Sequence, residues 1–71
     1  MQTPIKDYNG RILGFIEYDP NSKIKTAKNY YGTILGRYDE KLNRTTDYYG
    51  RIVAEGDVLS SLIMDDARGK R

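Results

Sequence analysis

Five of the seven tyrosines in this 71-residue chain stand in three copies of one heptad. The copies read Asp7-Tyr8-Asn9-Gly10-Arg11-Ile12-Leu13, Asn29-Tyr30-Tyr31-Gly32-Thr33-Ile34-Leu35 and Asp47-Tyr48-Tyr49-Gly50-Arg51-Ile52-Val53. A phenol beside a guanidinium can stack, hydrogen-bond and hold a cation over its ring, which is the chemistry of recognition. Tyr31 and Tyr49 occupy the third heptad position, where a turn has no need of an aromatic residue. With Arg11, Arg37 and Arg51 they make the candidate interaction surface, since Tyr and Arg are enriched where proteins meet partners. Tyr8, Tyr30 and Tyr48 hold the second position of every copy and are expected to seat one hairpin against the next.

Bond-making chemistry has few candidates. The chain has no His and no Cys, which removes the usual proton shuttle near neutral pH, the thiol nucleophile, disulfides and Cys/His zinc sites. No Ser lies in a Gly-x-Ser-x-Gly setting and no Gly-x-x-x-x-Gly-Lys-[Ser/Thr] loop is present, so neither a nucleophile elbow nor a phosphate cradle is spelled. Asp19, Asp39 and Asp57 recur at matching places and would converge on one rim if the repeats ringed an axis; turn formation is the competing account. The expectation is a protein with no enzymatic activity, no metal and no cofactor.

The elements that must position these residues are written in the heptad itself. Asp or Asn at its first position accepts hydrogen bonds from amides further along a turn, and Gly at its fourth supplies the left-handed backbone of a type I turn followed by a bulge. Ile-Leu or Ile-Val then opens a strand. The glycines stand 22 and 18 residues apart, a length that suits a β-hairpin and is too short for a βαβ crossover. Asp19-Pro20-Asn21-Ser22 marks a second turn, and Tyr38-Asp39-Glu40-Lys41 echoes it.

These signals predict an all-β fold, an up-and-down meander with strands near 3–6, 11–18, 23–28, 33–38, 42–46 and 51–55, in repeats of about 3–22, 23–41 and 42–58. Gly14, Gly36 and Ala54 recur four residues after each heptad glycine, so either successive hairpins approach a common axis there or a flat sheet bulges. Leu59, Leu62 and Ile63 keep helical spacing behind Asp57, a potential cap, although a last strand also fits. Residues 1–64 form one domain and 65–71 read as a flexible tail.

Twelve basic and ten acidic residues leave a net charge of +2, a weak field for nucleic acid. No run approaches the roughly 20 apolar residues of a membrane span and no secretory pattern opens the chain, so a cytoplasmic location away from membranes is expected. A single domain of this size has a thin core, which makes a partner subunit a reasonable source of stability.

The stretch Thr3-Pro4-Ile5, Asp7, Gly10-Arg11-Ile12-Leu13-Gly14-Phe15-Ile16 resembles the repeats of the small bacterial beta-flower domains. Those domains build hairpins around an axis from D-x-x-G-x-x-[VLI]-[GA] units. Asp7, Gly10 and Gly14 fall on this unit with Ile12 one residue before its apolar place, and Asn29, Gly32, Ile34 and Gly36, then Asp47, Gly50, Ile52 and Ala54, repeat the arrangement with Asn in place of the first Asp in the second copy. The four-fold form implies a fourth hairpin, which strand 3–6 and the C-terminal segment would have to supply, and the resemblance implies no activity. Three functions are therefore weighed: first, protein interaction or self-association; second, cell-wall or carbohydrate binding; third, single-stranded nucleic-acid binding through stacked tyrosines.

Overall fold

In a computed structural model that describes residues 2–68, each heptad forms the same turn. Gly10, Gly32 and Gly50 take φ of 86°, 88° and 86°, a left-handed conformation that costs glycine little and other residues more. The Gly10 amide donates to the Asp7 carbonyl at 3.0 Å and the Asp7 amide to the Arg11 carbonyl at 2.9 Å; the other two turns repeat these bonds. The first-position side chain does what its type predicts. Asp7 Oδ1 accepts from the Asn9 and Arg11 amides, Asn29 Oδ1 from Tyr31 and Thr33, and Asp47 Oδ1 from Tyr49 and Arg51, all at 2.9 Å.

The strands are β1 (Gln2–Lys6), β2 (Ile12–Asp19), β3 (Ile24–Asn29), β4 (Ile34–Asp39), β5 (Arg44–Asp47) and β6 (Ile52–Glu55), followed by α1 (Leu59–Ala67). They pair antiparallel in sequence order, giving the expected meander. The three heptad turns lie at one end of the sheet, and the Asp19 and Asp39 turns lie at the other. Each heptad ends in a β-bulge. Leu13, Leu35 and Val53 are the extra residues, unmatched between Ile5/Lys6, Ala27/Lys28 and Thr45/Thr46 of the neighbouring strands.

The sheet is open. Among the described residues β1 pairs only with β2 and β6 only with β5, so the hairpins there surround no axis and make no fourth hairpin. The bulged-sheet alternative for the recurring small residues is the one formed, since each directly follows a bulge, and the two glycines have a further cause. A Cβ on Gly36 would lie 2.5 Å from the Thr46 carbonyl oxygen and 2.7 Å from Leu62 Cδ1, while one on Gly14 would press on the Lys28 carbonyl and sit 2.9 Å from Ile63 Cγ2. The room is needed by the adjoining strand and by the helix lying on the sheet.

Of the two readings of the C-terminal segment, helix is the one formed. Leu59 and Ile63 are fully buried against Ala27, with Ile5, Leu13, Ile16, Leu35, Tyr38 and Leu62 packed around them. Burying each such aliphatic side chain stabilises by about 1.5–3 kcal/mol. The cap position expected of Asp57 is held by Val58, whose side chain makes no cap hydrogen bond; Asp57 stands one residue earlier, where its Oδ1 accepts the Leu59 amide at 3.1 Å. Thr45, fully buried, donates to the Gly56 carbonyl at 2.6 Å and accepts the Val58 amide at 3.2 Å, tying the helix start to β5. The helix continues to Ala67, so Asp65, Asp66 and Ala67, expected in the tail, are helical. Residues 69–71 lie outside the described residues.

Candidate functional site

Because strand direction alternates, all three heptad tips project from the same end of the sheet, and their tyrosines form a comb. Tyr8 is 97% exposed, Tyr30 62%, Tyr31 87%, Tyr48 60% and Tyr49 77%. The exposure expected of Tyr31 and Tyr49 is found. The packing expected of Tyr8, Tyr30 and Tyr48 is not: all three are exposed at the tips, beyond the middle strands β2, β3 and β4 on which the helix lies. Within a tip the two rings meet edge to face, Tyr30 and Tyr31 at 5.6 Å between centroids and Tyr48 and Tyr49 at 5.4 Å. Such a pair adds about 0.5–1.5 kcal/mol beyond area burial and fixes how the rings stand.

Successive tips enclose two clefts of one design. Gly10, Arg11 and Ile12 face Tyr30 and Tyr31 across a cleft of about 620 Å³. Gly32, Thr33 and Ile34 face Tyr48 and Tyr49 across one of about 600 Å³. The correspondence follows from register: Gly14 is level with Asn29, and Gly36 with Asp47, which brings each heptad isoleucine beside the next copy's tyrosines. The last turn of α1 adds Asp66 and Ala67 to the first cleft. At the array's end Ile52 has no following turn and is 60% exposed, against 39% for Ile12. At its beginning β1 is the edge strand, so among the described residues no hairpin precedes the first turn, and there the third position is Asn9 instead of Tyr.

In the first and third turns the arginine faces the carboxylate of its own turn. Arg11 Nε lies 3.7 Å from Asp7 Oδ2, and Arg51 Nε 3.2 Å from Asp47 Oδ2. The Arg51 guanidinium also stands 5.5 Å from the centre of the Tyr49 ring. Amide hydrogen bonding, first from Arg51 and then from Tyr49, together with the guanidinium holds the Asp47 carboxyl below its ordinary value. Arg37, grouped with these residues on sequence grounds, stands apart. It sits in mid-strand between Thr26 and Thr46 and lines a different cleft with Glu17, Tyr18 and Ile24.

Asp19, Asp39 and Asp57 are each engaged locally and ring no axis. Asp19 and Asp39 accept the Asn21 and Lys41 amides at 3.0 and 2.9 Å, and Asp57 pairs with Lys25 Nζ at 3.1 Å. The remaining tyrosines brace this far end: Tyr18 donates to Glu40 Oε1 at 3.2 Å and Tyr38 to Asn43 Oδ1 at 2.6 Å. Among the described residues no group of His, Cys, Asp or Glu could hold a metal ion, and no helix is long and apolar enough to cross a membrane.

Sequence reasoning missed Ile12 and Ile34 as cleft residues and took Tyr30 and Tyr48 for packing. The signal that finds them is strand register. Comparison with protein-family models, with curated proteins and with solved structures finds no match for this chain.

Proposed function

We propose that this chain is a non-enzymatic interaction module that binds a protein partner through the tyrosine comb at the heptad end. The observation that carries the reading is the pair of equivalent clefts walled by exposed tyrosines. Their rings are held by turn geometry and contribute nothing to the buried core, so folding does not account for them. Rigid amphipathic rings give large contact area at low cost in conformational entropy. The likeness of the heptads to beta-flower repeats is compatible with this reading and adds no activity to it.

A separate partner is favoured over self-association through the sheet edges. β1 carries Pro4 and ends at Lys6, and β6 runs only four residues before Gly56, at φ 85°, turns the chain away. Proline, lysine and short length are the features that discourage edge pairing. A nucleic-acid strand is disfavoured because the tip arginines face carboxylates of their own turns, leaving few cations to displace counterions.

The test is comparative capture. Wild-type chain, the Tyr31→Ser/Tyr49→Ser double variant and a Leu42→Ser control at the far end are used as baits under identical conditions. The proposal expects a partner retained by wild type and control and lost by the double variant. Identical capture by all three would remove the comb from consideration. A sedimentation run on the bait alone separates partner binding from self-association.

A further inference from the structure

The two clefts are related by one repeat, which is two strands, so they lie about 9.5 Å apart, twice the 4.7–4.9 Å spacing of neighbouring strands. A polyproline II helix advances about 3.1 Å per residue with three residues per turn, and so presents the same face about every 9.3 Å. Resting on the reading of the comb as a protein-binding face, we propose that its ligand is a proline-rich segment in the polyproline II conformation. The segment lies across the turn tips and seats residues i and i+3 in the two clefts.

The chemistry of the walls suits that ligand. Each cleft sets a pair of tyrosine rings against an isoleucine, a place for a pyrrolidine ring, with Arg11, Asn29 and Asp66 adding a polar side to the first cleft, and aromatic-lined grooves are the general means by which Pro-x-x-Pro segments are bound. A Cβ built on Gly10 or Gly32 would meet nothing within 4 Å, so the glycine side of each slot is open to an approaching backbone. A polyproline II backbone has no internal hydrogen bonds, leaving its carbonyls to accept from hydroxyl donors such as the tyrosines at the rim. Its rigidity lowers the ordering cost that a flexible peptide would incur on binding. It also needs no charge from the protein, in keeping with arginines paired inside their own turns.

The test is a titration of the isotopically labelled full chain followed through its backbone amide shifts. The probes are acetylated decaproline and two alanine-based peptides, one with its two prolines three residues apart and the other four apart. Decaproline is expected to produce saturable shifts at Arg11, Ile12, Tyr31, Thr33, Ile34 and Tyr49. The three-residue spacing is expected to bind on the order of tenfold tighter than the four-residue spacing, and Tyr31→Ser/Tyr49→Ser to abolish both. Equal affinity for the two spacings overturns the proposal, as does saturation of those amides by chitohexaose or oligothymidylate but not by decaproline. Silence with decaproline while the double variant still loses its captured partner rejects the polyproline assignment and leaves the comb as the binding face. Silence together with unchanged capture rejects both.

Discussion

Tyr49 of the third turn and Ile34 of the second wall the same cleft, as Tyr31 and Ile12 do one repeat earlier. The tip tyrosines therefore belong to the array rather than to the turn. The copy with no preceding hairpin carries Asn9, and the two copies that follow a hairpin carry Tyr. The rings are exposed but meet Tyr30 and Tyr48 edge to face, so the Tyr31→Ser/Tyr49→Ser change should lower unfolding free energy by no more than about 1–3 kcal/mol, two pairs at about 0.5–1.5 kcal/mol each, and leave the fold intact. Urea denaturation of the two proteins checks this.

Gly14 and Gly36 set how closely α1 lies on the sheet. Ala at either position drives a methyl into a neighbouring carbonyl and into Ile63 or Leu62, so Gly14→Ala and Gly36→Ala should each lower stability by about 1–3 kcal/mol, the cost of overpacking a tight site. Ala54 already carries the methyl at the matching position of the third repeat. Denaturant midpoints for the two variants give the measurement.

Thr45 makes two hydrogen bonds where β5 meets the helix start. Thr45→Val keeps the shape but leaves the Gly56 carbonyl and the Val58 amide without that partner, a loss of about 1–3 kcal/mol. Thr45→Ser, which keeps the hydroxyl, should recover part of it. Thermal melts of the pair distinguish lost hydrogen bonding from lost packing.

Acid should weaken the third turn before neutral conditions do. Asp47 is held below its ordinary value of 3.8 when folded, so its contribution is fully present above that pH and is lost as pH falls through the lower folded value. The second turn uses Asn29 in the same role with the same two amide bonds. Asp47→Asn should therefore preserve the turn at neutral pH while flattening the acid limb of the stability profile. A steeper acid limb in the variant would contradict this account.

Lys23 takes φ of 62°, a conformation that Asn43 adopts at 54° in the matching turn. Asn tolerates the left-handed region better than Lys does, and the penalty for an ordinary L-residue there is about 1–2 kcal/mol. Lys23→Gly should therefore stabilise by about 1 kcal/mol, visible as a raised urea midpoint.

Much of the fold is legible in the sequence because its determinants are local. Asp or Asn followed by Gly three residues later specifies each heptad turn, Asp19-Pro20 the far turn, and Leu59, Leu62 and Ile63 the helix face. What the sequence hides is what depends on contacts between distant segments. Gly14 and Gly36 announce crowding, but only the docked helix shows that Ile63 and Leu62 are among its causes. Arg37 looks like a companion of Arg11 and Arg51 in a linear reading, yet pleating and register place it in mid-sheet. Tyr30 and Tyr48 look like packing residues because they recur, whereas recurrence here reflects one exposed tip repeated along an open sheet.

The most direct test of the central claim is the affinity of a partner isolated with the wild-type chain, measured by calorimetry against wild type and against Tyr31→Ser/Tyr49→Ser. The account predicts at least about tenfold weaker binding, near 1.4 kcal/mol, by a variant that remains folded and unfolds cooperatively. Unchanged affinity in a folded double variant would contradict it.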